Sequence, residues 1–204
     1  MRVDGRDVCM LAGSNSLDLA GDPRVLQAAG DATRRYGTAA GGARLINGNL
    51  GVHEHLESAL AEFTGAEAAL LFSTGYMANL GVLSALAGPD DVIVSDALNH
   101  ASIIDACRLS RAETRLFAHN DPADLERVAA GCSHFRRHLL ITDGVYSMDG
   151  DVARLRELLP IARAHDMLTI VDDAHGFGVL GPNAPIELGK NTAQPSARAT
   201  SSTR

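Results

Sequence analysis

The chain has 204 residues, 46% of them apolar but only 4% aromatic, with no tryptophan and a formal net charge of -7. A chain of this size can bury roughly 70% of its unfolded surface in one domain, and with so few rings its core must be built from Ala, Leu, Val and Ile, a mixture suited to helices on a sheet. The charge sets nucleic acid aside as a main partner, and without a membrane-length apolar run or a signal-peptide core in MRVDGRDVCMLAG the sequence points to no membrane and to a cytoplasmic location.

In chain order, a helix is predicted from Pro23 to Tyr36, followed by a glycine-rich loop, GTAAGGARLINGN, from Gly37 to Asn49. From about residue 54 to residue 180 helical and strand patterns alternate, as in an α/β domain with a largely parallel sheet. His53, Leu56, Leu60 and Phe63 share one helical face, and Ala68 to Phe72 reads as a strand ending at Ser-Thr-Gly. Further strands are predicted at Val92 to Ser95, Thr114 to Phe117, His138 to Thr142 and Leu168 to Val171. The helices between them are predicted at Tyr76 to Leu86, Ser102 to Ser110, Pro122 to Ala130 and Ala153 to His165, the last kinked by Pro160.

Cys9, Cys107 and Cys132 lie far apart, with no CxxC pair and no histidine at ligand spacing, so neither a disulfide framework nor a metal site is expected. They read as small buried hydrophobes. After Pro182 the composition turns to Ala, Ser, Thr and Pro without period, and disorder is expected there. The organisation is thus an N-terminal segment (1–53), an α/β domain (54–182) and a divergent tail (183–204).

Four polar turns carry the chemistry. Ser73-Thr74-Gly75-Tyr76 lies where an apolar run meets a helix start, whose free N–H groups and dipole attract an anion; alone, such a turn is more often a capped helix. Asp172-Asp173-Ala174-His175 follows an apolar strand, where α/β ligand sites lie and where an acid could pair with a buried cation. Taken singly, it also reads as a capping Asp in a surface turn. Ser147, in TDGVYSMDGD, and His100, in LNHAS, follow two further strands. A lone histidine in such a place is usually structural, but four turns on one sheet edge are less easily accidental.

In these strings, STGYMANLG, SDALNHASIIDACRLS, TDGVYSMDGD and VDDAHGFGVLG, the chain resembles the α-oxoamine synthases from about Asn15 to Pro182. These are pyridoxal-phosphate (PLP) enzymes that condense an amino acid with an acyl thioester, usually acyl-CoA, with loss of carbon dioxide. The resemblance implies the N-terminal part of the type I PLP-transferase fold: the N-terminal segment and part of the large domain, a mostly parallel sheet with helices on both faces. It further implies a homodimer with sites at the interface, and PLP as cofactor.

Residue by residue, the resemblance places the Gly75 and Tyr76 amides on the cofactor phosphate and His100 on the ring face. Asp172 would pair with the ring nitrogen, and Ser147 and His175 would hydrogen-bond the ring hydroxyl oxygen. His100 and His175 are the catalytic candidates, and Asn15 would lie near the amino-acid carboxylate. Ser16, Asp18, Ala39 and Ala43 depart from the family's usual residues.

The family also needs a lysine, about thirty residues past the Asp-x-x-His pair in a Thr-x-Ser-Lys or Thr-x-Gly-Lys string, that bonds covalently to the cofactor. The single lysine of this sequence, Lys190 in ELGKNTA, lies fifteen residues past His175 without that string, and an arginine such as Arg204 stays protonated and cannot substitute. The expected reading is therefore a truncated acyltransferase, inactive alone. The alternative is a non-catalytic fragment that binds PLP or a partner. A nicotinamide-binding domain is disfavoured because GTAAGG does not match GxGxxG and follows no clear strand.

Overall fold

Aspartate followed by proline is a strong helix start, and the structure uses it: Asp22 caps α1 (Pro23–Tyr36), accepting from the Arg24 amide at 2.8 Å, and Gly37 closes the helix with φ 79°. The computed structural model describes residues 2–10 and 13–180; Lys190, Arg204 and the tail expected to be disordered lie outside the described residues. The chain divides into two units, 1–58 and 59–204.

In the first unit, β1 (Arg2–Val3) and β2 (Arg6–Asp7) form an antiparallel hairpin that the periodicity did not predict. Asp4 and Gly5 turn it with φ 49° and 77°, both positive as a type I′ turn requires. The loop from Gly37 to Asn49 carries no regular structure, as expected. Arg44 ties it to Glu57 at 2.6 Å, and a Cβ on Gly48 would come within 1.8 Å of the Gly42 carbonyl oxygen, so glycine is required where the loop folds on itself. Cys9 is exposed, not buried as expected, because the flanking residues 8 and 10 are exposed as well and no core forms around it. The chain then enters α2 (Gly51–Thr64), in which no residue of the predicted face of His53, Leu56, Leu60 and Phe63 is buried.

The second unit alternates α3 (Gly75–Leu86), β3 (Val92–Asp96), α4 (Ala101–Ser110), β4 (Glu113–Phe117), α5 (Pro122–Ala130), β5 (His138–Asp143), α6 (Leu155–Ala164) and β6 (Met167–Asp172). The four strands form one parallel sheet in the order β4-β3-β5-β6. Central strands of such a sheet are apolar on both faces. Val92, Val94 and Leu140 accordingly pack with Leu125, Leu155 and Leu158 of α5 and α6, whereas Ile93, Leu139 and Ile141 pack with Leu83 of α3 and Ile103 of α4. Helices therefore cover both faces.

Two elements differ from expectation. Ala68 to Phe72 forms no strand: a ladder needs a neighbour, the sheet ends at β6, and Leu70 is 69% exposed. Residues 153 and 154 do not begin α6, because Ala153 donates to the Gly144 carbonyl and Val152 bridges Val145. Pro160 is held inside α6, which stays helical on either side of it.

Strand order sets the position of the site. From β3 the chain moves one way to β4 and returns past β3 to β5, so the order reverses between β3 and β5, and a crevice opens there at the carboxyl ends of the strands.

Candidate functional site

A cavity of about 130 Å³ lies at this edge, entirely within the second unit, lined by Gly75, Tyr76, His100, Ser147, Asp172 and His175. These are the six residues singled out for cofactor binding in the second unit. Ser102, Asp143, Val145 and Ala174 complete the lining. Asn15 lies in the first unit, where its side-chain amide donates to Asp18 (3.1 Å) and its oxygen accepts from the Ala20 amide (3.1 Å).

Each wall has a local cause. Thr74 caps α3 by accepting from the Met77 amide at 3.1 Å and the Ala78 amide donates to its carbonyl, so the first-turn amides of Gly75 and Tyr76 have no acceptor among the described residues. An added Cβ on Gly75 would meet nothing within 4 Å, which leaves open approach to those donors. Tyr76 is steadied by a hydrogen bond from its hydroxyl to Asp105. Its ring meets the His100 ring edge-on at 6.3 Å.

Ser147 sits on a tight excursion after β5. The buried Tyr146 anchors it, the Val145–Val152 bridge closes its base, and Gly150 turns it with φ 75°. Asn99 joins the ends of β3 and β5, donating to the Ile141 carbonyl at 2.9 Å and accepting from the Asp143 amide at 2.8 Å. His100 accepts at Nδ1 from the Ser102 amide (3.2 Å), with the Ser102 hydroxyl 2.7 Å away. With Nδ1 engaged as acceptor, the neutral ring carries its proton on Nε2.

Sequence reasoning missed the residue at the centre of this network. The Asn79 side-chain amide donates both to Ser102 Oγ (2.8 Å) and to Asp172 Oδ2 (2.7 Å), joining the acid to the imidazole through one hydroxyl. Asp172 Oδ1 accepts from the Ala174 amide at 3.2 Å. The available signal was helical spacing, since Asn79 lies four residues after Gly75 and so shares its face of α3. Asn79→Ala should cost about 1 to 3 kcal/mol by stripping a donor from a part-buried carboxylate, seen as a lower urea midpoint at unchanged m-value.

Two further acids flank Asp172. Asp143 is 4% exposed, and burial, reinforced by Asp172, pushes its carboxyl up to about 7. Asp173 is pushed up to about 6, by burial first and Asp172 second. Its carboxylate lies between Gly144 and Gly176, where a Cβ would come within 2.3 and 2.4 Å of Oδ1, so neither position accepts a side chain without displacing Asp173. No group of His, Cys, Asp and Glu able to hold a metal occurs among the described residues, and among them no helix is long and apolar enough to cross a membrane.

The fold recurs in known proteins. A serine palmitoyltransferase from Sphingomonas wittichii superposes with a TM-score of 0.80 at 40% identity, over 82% of this chain and 42% of that one. A structure described as SPT with PLP reaches 0.84 at 39% identity, over 88% of this chain and 45% of the other. Fold and cavity thus define the amino-terminal portion of a PLP-dependent transferase fold.

The chain belongs to the aminotransferase class I and II family, which matches it over residues 6–201, past both ends of the span read from the motifs. A putative 8-amino-7-oxononanoate synthase from Syntrophotalea carbinolica is 50% identical over 194 residues, which is 94% of this chain and 48% of that protein. The chain spans about half the length of the curated relatives it matches.

Proposed function

We propose that this chain supplies the cofactor-binding half of an α-oxoamine synthase, which condenses an amino acid with an acyl-CoA and releases carbon dioxide. The observation that carries the proposal is the convergence of two free helix-start amides, an oriented imidazole and a carboxylate on one cavity at the carboxyl edge of the sheet. The 50% identity to a putative 8-amino-7-oxononanoate synthase supports the reaction class.

The residues present fit PLP. The open approach at Gly75 and the free amides of Gly75 and Tyr76 suit its phosphate, and the acid edge suits its ring nitrogen. Bound there, PLP would supply an electron sink for charge developing at the amino acid's α-carbon. The protein's part is placement: His100 presents its ring and Nε2–H, Asp172 holds the ring nitrogen in its charged form, and Ser147 and His175 hydrogen-bond the ring hydroxyl oxygen. Asn15 is assigned to the amino-acid carboxylate, an assignment that rests on the family likeness alone, as does the homodimer.

Titrating the 204-residue chain with PLP, followed by absorbance, tests the site. Asp172→Asn should weaken binding by about 1 to 3 kcal/mol, or roughly 5- to 150-fold. An unchanged dissociation constant would remove Asp172 from the site and the proposal with it.

A further inference from the structure

Of the carboxylates at the cavity, Asp143 is the one that the roles above leave unused. Asp143 and Asp172 are register partners at the last positions of β5 and β6, which are parallel and adjacent. Partners on neighbouring strands, about 4.8 Å apart, project to the same face, and both residues line the cavity. Among the described residues, no lysine or arginine lines it with them.

The two acids are provided for unequally. Asp172 accepts from Asn79 at one oxygen and from Ala174 at the other. Asp143 is 4% exposed, and its buried Oδ1 has no hydrogen-bond partner. Two like charges side by side with no cation cannot both be stable, and the proton goes to the less solvated member.

We propose that Asp143 holds a proton in the cofactor-free cavity and gives it up when a cationic ring nitrogen is held at Asp172. The inference rests on the PLP reading for its second half only. The groups facing Asp143 are consistent with it: Asp172 from β6, Asp96 from the end of β3, and the imidazoles of His100 and His175. Burial and Asp172 raise its carboxyl to about 7, Asp96 adds to this, and the His100 backbone amide pulls the other way.

The proton balance is definite. If the ring nitrogen arrives charged, Asp143 releases its proton to solvent; if it arrives neutral, the proton of Asp143 supplies the charge and none is exchanged. In either case the wild-type chain takes up one proton fewer than an Asp143→Asn variant, in which position 143 has none to give.

The experiment has two arms. In the first, the cofactor-free 204-residue chain is titrated by infrared spectroscopy of its carboxyl band. A carboxyl titrating near pH 7 is expected, absent in Asp143→Asn and moved to lower pH in Asp172→Asn, where the neighbouring charge is gone. A band near pH 7 that persists in Asp143→Asn, or a wild-type chain whose one raised carboxyl is that of Asp173 near 6, overturns the proposal. Should Asp143→Asn fail to fold by circular dichroism, Asp173→Asn decides instead: the band near pH 7 should remain there and be lost only if it belonged to Asp173.

The second arm is calorimetry with PLP at pH 6.5 in two buffers of different ionisation enthalpy. Wild type should take up close to one proton fewer than Asp143→Asn, and equal counts with intact binding overturn the linkage. A carboxyl titrating near pH 7 in a chain that does not bind PLP would sustain the proton-holding role and refute the cofactor reading instead.

Discussion

Incubated with PLP, an amino acid and an acyl-CoA, the 204-residue chain is expected to form no condensation product above the background of the cofactor alone. The imidazoles and carboxylates of the cavity can place a cofactor, but the family chemistry also needs a side-chain amine that bonds to the cofactor and moves the α-proton. The sequence holds one such amine, Lys190, without Thr-x-Ser before it. General-base catalysis is worth about 10² to 10⁴ in rate, and holding the reacting groups in place is worth more. Both contributions are lost together. The check is product formation by mass spectrometry, with borohydride reduction and intact mass to detect a covalent cofactor–lysine bond. A stoichiometric adduct on Lys190, with acyl-CoA-dependent product that disappears in Lys190→Ala, would overturn the expectation and make this chain an enzyme in its own right.

The fold was largely legible because its elements are marked at both ends. Asp22-Pro23 and Gly37 bracket α1, and the structure returns Pro23–Tyr36 as predicted. The four strands of the sheet were found to within a residue; β3 and β5 stand out as apolar segments buried on both faces, whereas the edge strands β4 and β6 are exposed or half-buried along most of their length and were read from the turns that bracket them. The strand errors arise from what a single segment does not show. A strand is a property of two segments, so the apolar run from Ala68 to Phe72 carried the composition of a strand without the neighbour that makes one. The β1–β2 hairpin had its signal in Asp4-Gly5, but two-residue strands show no alternation to read.

The site divides in the same way. The six residues named from motifs in the second unit reached the cavity because each follows a strand or opens a helix, a position that sequence order alone specifies. Asn79 and Ser102 were missed because they act on other side chains, and a hydrogen bond between residues 79 and 172 cannot be inferred from spacing. Asp143 was passed over beside Ser147 although it lies in the same motif. Its significance appears only when β5 and β6 are placed in register and it stands next to Asp172.

Asp96→Ala should lower the stability of the folded chain by about 3 to 5 kcal/mol, the usual cost of removing one partner of a buried ion pair. The Asp96 side chain is fully buried at the end of β3 and serves four donors. One oxygen takes the Leu98 amide and His119 Nδ1 at 2.8 and 2.9 Å, and the other takes the Asn120 amide and the Tyr146 hydroxyl, both at 2.8 Å. His119 places its other nitrogen 2.9 Å from Asp151, so both ring nitrogens face carboxylates and the charged ring is favoured. Burial opposes that charge, but the hydrogen bonds to Asp96 and Asp151 outweigh it and raise the His119 pKa above 6.5. A raised folded-state value means that the charged ring contributes its full stability below the unfolded pKa of about 6.5. That contribution is lost as pH rises through the folded value. Because His119, Tyr146 and Asp151 fix the excursion that carries Ser147, the cost of breaking this cluster falls on the site as well as on the core. Urea unfolding of wild type, Asp96→Ala and His119→Gln at pH 6 and pH 9 measures both effects. Asp96→Ala should be strongly destabilised at either pH, while the deficit of His119→Gln should be largest at pH 6 and shrink at pH 9. A deficit for His119→Gln that is the same at both pH values would mean that the ring is held neutral and that the two carboxylates do not act on it as a charge.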